Sequence, residues 1–174
     1  MLWRVSQQQL VDCDTGNSGC SGGWPTDSWV YYSSTGAALD IDYPYTGSDD
    51  TCYDADVAKV AYTTSAAYNY INDGDPEAMK SALRERPISV AFSVGNAFYN
   101  YGGGVFTDDG SGDICAAGVN HGMTGVGFGV ENGMEYVIVK NSWGEMWGEA
   151  GYVKIHMTNN TCEILYWPSY PLVW

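Results

Sequence analysis

Positive charge is scarce in this 174-residue chain: 7 Lys and Arg stand against 21 Asp and Glu, for a formal net charge of −14. A chain that negative repels phosphate backbones and anionic lipid surfaces, so nucleic acid is not an expected partner. No apolar run approaches the ~18 residues of a spanning helix, which argues against membrane insertion. Histidine occurs only twice and no cysteine pair has CxxC spacing, so neither a Cys/His metal cluster nor a cofactor is expected. A signal peptide is also missing, since Met1-Leu2-Trp3-Arg4-Val5 has neither a basic start nor an apolar stretch. The expectation is an excised fragment or an incomplete gene model.

What is present describes a folded acidic protein. Hydrophobic residues make up 45% and aromatics 14%, seven of them Trp, which is too rich for a disordered acidic tail. The length allows one compact domain or two small lobes with a sizeable core. Five cysteines, at 13, 20, 52, 115 and 162, suit a secreted or vesicular protein whose cysteines pair. Because five is odd, at least one thiol has no partner within the chain. Asn159-Asn160-Thr161 is a glycosylation sequon and fits the same route.

Local signals divide the chain in two. Ser6-Gln7-Gln8-Gln9 has capping-box spacing ahead of a short helix carrying Leu10 and Val11. A second helix is expected from about Thr26 to Ser34, stopping at Gly36. Asp75-Pro76-Glu77 predicts an N-cap, a first-turn proline and an acid favoured by the helix dipole. Ile88 to Val94 alternates with period two. Met123–Val130, Glu135–Lys140 and Tyr152–His156 are further strand candidates, the first two joined by a tight Asn132-Gly133 turn. The expected class is α+β with two lobes and a mostly antiparallel sheet.

If the strands around Asn132-Gly133 pair, their outer ends bring Asn120-His121-Gly122 beside Lys140-Asn141-Ser142-Trp143-Gly144. An amide oxygen accepting from one imidazole nitrogen fixes the tautomer and aims the other nitrogen at a nucleophile. Trp143 alongside would screen that hydrogen bond from water. The plainer reading is a hairpin with a capped end and a buried indole.

Longer segments favour the chemical reading. Ser6-Gln7-Gln8-Gln9-Leu10-Val11-Asp12-Cys13, Gly19-Cys20-Ser21-Gly22-Gly23, Asp42-Tyr43-Pro44-Tyr45-Thr46-Gly47, Val119-Asn120-His121-Gly122 and the run from Val137 to Tyr152 follow one another in order. Together they resemble the papain-like cysteine peptidases, the cathepsin family, over essentially the whole chain. The resemblance implies a two-lobe fold with a cleft between the lobes. Residues 1–68 would be the remainder of a helical lobe and 69–174 a β-sheet or barrel lobe with a C-terminal tail, together one peptidase domain.

The resemblance also assigns roles. His121 would be the base and Asn141 its orienting partner in a Cys-His-Asn triad. Trp143 would be the shielding indole and Trp147 the second tryptophan of the same motif. Gly22 and Gly23 would hold an extended substrate backbone, where a side chain would block close approach; the alternative for them is a plain turn. Trp24, Pro25, Ala91, Val119, Asn120, Gly122 and Trp167 match positions at the substrate site. At Trp167, an indole near the pocket floor would shorten the pocket, unless it simply packs between the lobes. His156 matches no family position and is expected at the surface. The implied disulfides are Cys13–Cys52 and Cys115–Cys162, with Cys20 the orphan of a lost bridge.

One departure dominates. The family's nucleophile lies in a Cys-Gly-Ser-Cys-Trp type segment near the mature N-terminus, and no such segment occurs here. The chain alone is therefore expected to be inactive, Cys20 being a poor candidate for a substitute. Three readings follow: a peptidase whose nucleophile-bearing segment is a second chain completing the helical lobe; a pseudoenzyme with a structural or assembly role; or a module that holds a peptide without cutting it. A lysosome-like, vacuolar or extracellular setting is expected.

Overall fold

The computed structural model describes residues 3–110 and 112–173; Met1 and Leu2, the first residues of the N-terminal stretch discussed above, lie outside them. The chain forms two compact units, one from the described residues of Met1–Asn69 and Pro171–Trp174, the other from Tyr70–Tyr170.

The first unit holds helices α1 (Gln8–Cys13) and α2 (Pro25–Ser34), and the short strands β1 (Ala37–Ala38) and β2 (Lys59–Ala61), which pair antiparallel. It also holds most of β3 (Thr63–Tyr70). Only half of the expected capping box forms. Ser6 Oγ accepts from the Gln9 N–H at 3.0 Å and donates to the Tyr43 carbonyl at 2.6 Å. The Gln9 side chain does not turn back to Ser6. It donates to the Gly36 carbonyl and accepts from the Ala38 N–H, while Gln8 brackets the Thr46–Ser48 backbone in the same way. Both glutamines are buried, because their amides satisfy loop peptide groups that would otherwise be stranded away from water. The pair of glutamines is thus a tertiary bracket more than a helix start. Tyr43, also buried, stacks on Tyr53 at 3.8 Å and donates to Asp12. Desolvation pushes its phenol up to about 12, against the lowering effect of the Tyr53 N–H.

The second unit contains α3 (Pro76–Leu83), β4 (Ile88–Phe92), α4 (Asn96–Tyr99), β5 (Val105–Phe106), β6 (His121–Glu131), β7 (Met134–Lys140), β8 (Tyr152–His156) and the start of β9 (Ser169–Val173). Asp75 caps α3 as the sequence predicts, accepting from the N–H groups of Glu77 and Ala78 at 2.9 Å. The strands lie in the order β9-β4-β6-β7-β8-β5, antiparallel except for β5 against β8. Met79 and Leu83 from α3 join Ile88, Val90, Val137 and Val139 in one apolar core.

Strand β4 ends two residues before the alternation predicts. After Phe92 pairs with His121, Ser93 donates instead to the Cys162 carbonyl, and Val94 is held by the Asn120 side chain. Strand β9 and helix α4 carry no clear sequence signal. A proline within β9 argues against a strand, and α4 is a single turn fixed by packing.

Candidate active site

The β6–β7 hairpin turns at Asn132-Gly133, both in the left-handed region that a two-residue type I′ turn requires. Its register pairs Thr124 with Lys140, so His121 opens β6 and Asn141 follows the last residue of β7 at the same end. The Asn141 N–H donates to the Gly151 carbonyl at 2.9 Å, fixing its backbone.

His121 Nε2 lies 2.9 Å from Asn141 Oδ1. The amide orientation is set independently, because the Ser142 N–H donates to the same oxygen at 2.8 Å. An amide oxygen only accepts, so Nε2 carries the hydrogen and Nδ1 is left with a lone pair to take a proton. Asn141 is 6% exposed, and its Nδ2 is buried without a partner among the described residues.

Indole and phenyl rings build the floor beneath this pair. The Trp143 ring lies 5.1 Å from the imidazole, stacks on Tyr99 at 5.1 Å, and meets Phe98 and Trp147 edge-on at 5.6 and 5.2 Å. Trp147 packs on Phe98 and Tyr101, and its Nε1 donates to the Tyr99 carbonyl. Gly148, at φ 58°, permits this corner, since a Cβ there would lie 2.6 Å from the Tyr152 carbonyl oxygen. His121, Asn141, Trp143 and Trp147 therefore come together as one constellation. Phe98, Tyr99 and Tyr101 belong to it and were not singled out in the sequence. The run Phe98-Tyr99-Asn100-Tyr101 was the available signal.

The other predicted residues divide by location. Ala91 is buried opposite Gly122 on the β4–β6 ladder, one pair from Phe92 and His121. Val119 and Asn120 precede β6, and both ends of the Asn120 amide are spent on Val94. Trp167 lies two residues before β9: its backbone N–H donates to Asp73 at 2.8 Å, its ring meets Tyr166, and it is 41% exposed. His156, expected at the surface, ends β8 opposite Tyr136 and is half-buried, because β8 is flanked by β7 and β5.

In the first unit, Gly22 has φ 103° and ψ −171°, and a Cβ at Gly23 would strike the Asn17 side chain. Neither position tolerates a side chain cheaply. Trp24 caps α2 and Pro25 occupies its first turn. Asn17 had no place in the sequence reading. Its Oδ1 accepts from the Trp24 N–H at 2.7 Å, while its Nδ2 faces Asp14, Ser28 and the Trp24 carbonyl. Asp14 is buried and anchors this latch on the Gly22-Gly23-Trp24 backbone. Asn17→Ala should destabilise the unit by about 1–3 kcal/mol, through the stranded partners it leaves. It should also speed amide exchange at Trp24, read by hydrogen-exchange mass spectrometry. Unchanged exchange there would refute the latch.

Disulfides join Cys13 to Cys52 and Cys115 to Cys162, and Cys20 is a free, exposed thiol. Desolvation and the charge of Asp49, with Asp12 and Asp50 beyond it, push the Cys20 pKa up, the reverse of what a nucleophile needs. Among the described residues, the one grouping with metal-ligand spacing is Cys13, Cys52 and Asp54, whose two sulfurs are bonded to each other.

A family model described as papain family cysteine protease matches residues 1–172, and the chain belongs to that family. Its fold is the α+β fold of the papain-like proteases. It is 42% identical over 175 residues to the thiol protease aleurain of Arabidopsis thaliana, covering 97% of this chain and 48% of that protein. It is 43% identical to the oryzain gamma chain of Oryza sativa subsp. japonica over 173 residues, 97% of this chain and 47% of that protein. The chain thus spans about half the length of these curated relatives. Among solved structures, the bromelain protease of Ananas comosus superposes with a TM-score of 0.88 at 35% identity, over 99% of this chain and 79% of that one. The digestive procathepsin L2 of the Tenebrio molitor larval midgut gives 0.89 at 36% identity, over 99% and 54%.

Proposed function

We propose that this chain supplies the base and its orienting amide to a peptide-hydrolysing Cys-His-Asn centre whose thiol comes from polypeptide outside these 174 residues. The observation that carries this reading is the His121–Asn141 hydrogen bond, with its tautomer fixed and Nδ1 left as acceptor. In the reaction, Nδ1 takes the thiol proton and the thiolate attacks the peptide carbonyl carbon. The imidazolium then protonates the departing amine, and a water activated by the same nitrogen releases the acyl group. Gly22 and Gly23 are assigned to the substrate backbone. Trp24, Pro25, Ala91, Val119, Asn120, Gly122 and Trp167 are assigned to its side chains.

The supplied polypeptide would also complete the helical part of the first unit. Trp3 and Val30 there, 51% and 53% exposed, are among the apolar side chains that such a polypeptide would cover. Two disulfides support a secretory route ending in a vacuole-like, lysosome-like or extracellular compartment.

Native mass spectrometry of the protein from its source, repeated after denaturation and after reduction, tests the reading. The expected result is an associated polypeptide containing a Cys-Trp element, released on denaturation or, if bonded to Cys20, on reduction. A lone 18.9 kDa species with Cys20 open to alkylation would overturn it in favour of a pseudoenzyme that binds peptides or serves in assembly.

A further inference from the structure

The segment after β8 combines a modification motif with a conformation that conceals half of it. Asn159 is exposed, whereas Thr161, the third residue of Asn159-Asn160-Thr161, is 1% exposed. Its hydroxyl is buried without a hydrogen-bond partner among the described residues. Asn160, Cys162 and Glu163 have φ of 49°, 50° and 68°, in the left-handed region that residues with a Cβ adopt at a cost. Tertiary ties hold them there. Cys162 is bonded to Cys115, the Ser93 N–H donates to the Cys162 carbonyl at 2.9 Å, and Ser93 Oγ donates to Glu163 at 2.7 Å.

A glycosylating enzyme must reach both the asparagine amide and the threonine hydroxyl of an Asn-X-Thr sequon. The folded segment offers the first and withholds the second. In the unfolded chain, before Cys115 and Cys162 join and before Ser93 docks against Cys162 and Glu163, these ties are absent and residues 159–161 are free to adopt conformations in which both groups are open.

We propose that Asn159 carries an N-linked glycan added before Cys115 and Cys162 join, so that glycosylation and disulfide closure compete for the same unfolded segment. The donor is a lipid-diphosphate-linked oligosaccharide. Asn159 Nδ2 forms a bond to the anomeric carbon of the first sugar as that carbon's bond to the diphosphate oxygen breaks. The amide gives up one proton, and the lipid diphosphate leaves with the electron pair. The inference rests on the secretory route proposed above and is independent of catalysis.

The test expresses the full chain behind a cleavable signal sequence in a eukaryotic host, as wild type, Cys115→Ser and Thr161→Ala. The readout is the tryptic peptide beginning at Ile155, treated with peptide N-glycosidase in heavy-oxygen water so that each glycosylated Asn159 becomes a labelled aspartate. Expected are labelled Asn159 in the wild type, higher occupancy in Cys115→Ser, and complete loss in Thr161→Ala. Because the Thr161 hydroxyl has no partner, that last variant should still form both disulfides. Unmodified Asn159 in both wild type and Cys115→Ser, while a reporter sequon in the same cells is filled, would remove the site. Equal occupancy in the two would remove the competition. Since masses are measured and not hydrolysis, either failure leaves the peptidase reading standing.

Discussion

On the function proposed above, replacing His121 by alanine in an assembly that includes the thiol-bearing polypeptide is expected to lower kcat/KM for peptide hydrolysis by about 10²–10⁴-fold, the usual worth of a positioned acid–base group. The loss falls on kcat, because the imidazole acts on the thiol and on the leaving amine and contributes little to ground-state substrate binding. Asn141→Ala has a smaller effect of the same kind, since the amide touches no reacting atom and works by holding Nε2–H. The two effects should not add, because the second substitution acts on a group the first has already removed. Steady-state kinetics on the two single variants and the double, normalised to titratable thiol, would check this. Hydrolysis that survives His121→Ala while remaining thiol-dependent would assign the base elsewhere and leave the His121–Asn141 bond a structural cap.

How much of this was legible in the sequence differs from element to element, for physical reasons. The β6–β7 hairpin was legible because Asn132-Gly133 is a turn whose backbone few other dipeptides accept, and its symmetry delivered His121 and Asn141 to one end. Helix α3 was legible because capping is local, with Asp75, Pro76 and Glu77 acting within one turn. The Gln8–Gln9 bracket was not, since its partners at Gly36, Ala38 and Thr46 lie far along the chain and no local rule pairs them. Asn17 was missed for the same reason. It looks like an ordinary loop asparagine until the fold brings Asp14, Ser28 and Trp24 around it. The aromatic floor was half legible. Trp143 and Trp147 stand in a motif, whereas Phe98 and Tyr99 lie more than forty residues upstream on a helical turn too short to announce itself.

That floor makes the second large prediction. Phe98 is fully buried and meets Phe92, Phe106, Trp143 and Trp147 with ring centroids at 4.8, 5.2, 5.6 and 5.0 Å. Phe98→Ala should cost about 3–5 kcal/mol, the range for deleting a buried aromatic ring. Against a total domain stability of about 5–15 kcal/mol, that is enough to lower the melting midpoint sharply. Phe98→Leu keeps most of the volume and should cost less, which separates cavity formation from loss of ring–ring geometry. The damage should also reach the site. With its edge-on neighbour gone, Trp143 loses one of the rings that fix it beside the imidazole, and, if the indole has the shielding role the family resemblance implies, water should gain access to the His121–Asn141 bond. A nitrogen-15 NMR measurement of the His121 Nε2–H should then show faster solvent exchange in Phe98→Ala than in Phe98→Leu, at a temperature where both remain folded. Equal exchange in the two would mean that Trp143 holds its place through Tyr99 and Trp147 alone, and that the phenylalanine stabilises the unit without sheltering the imidazole.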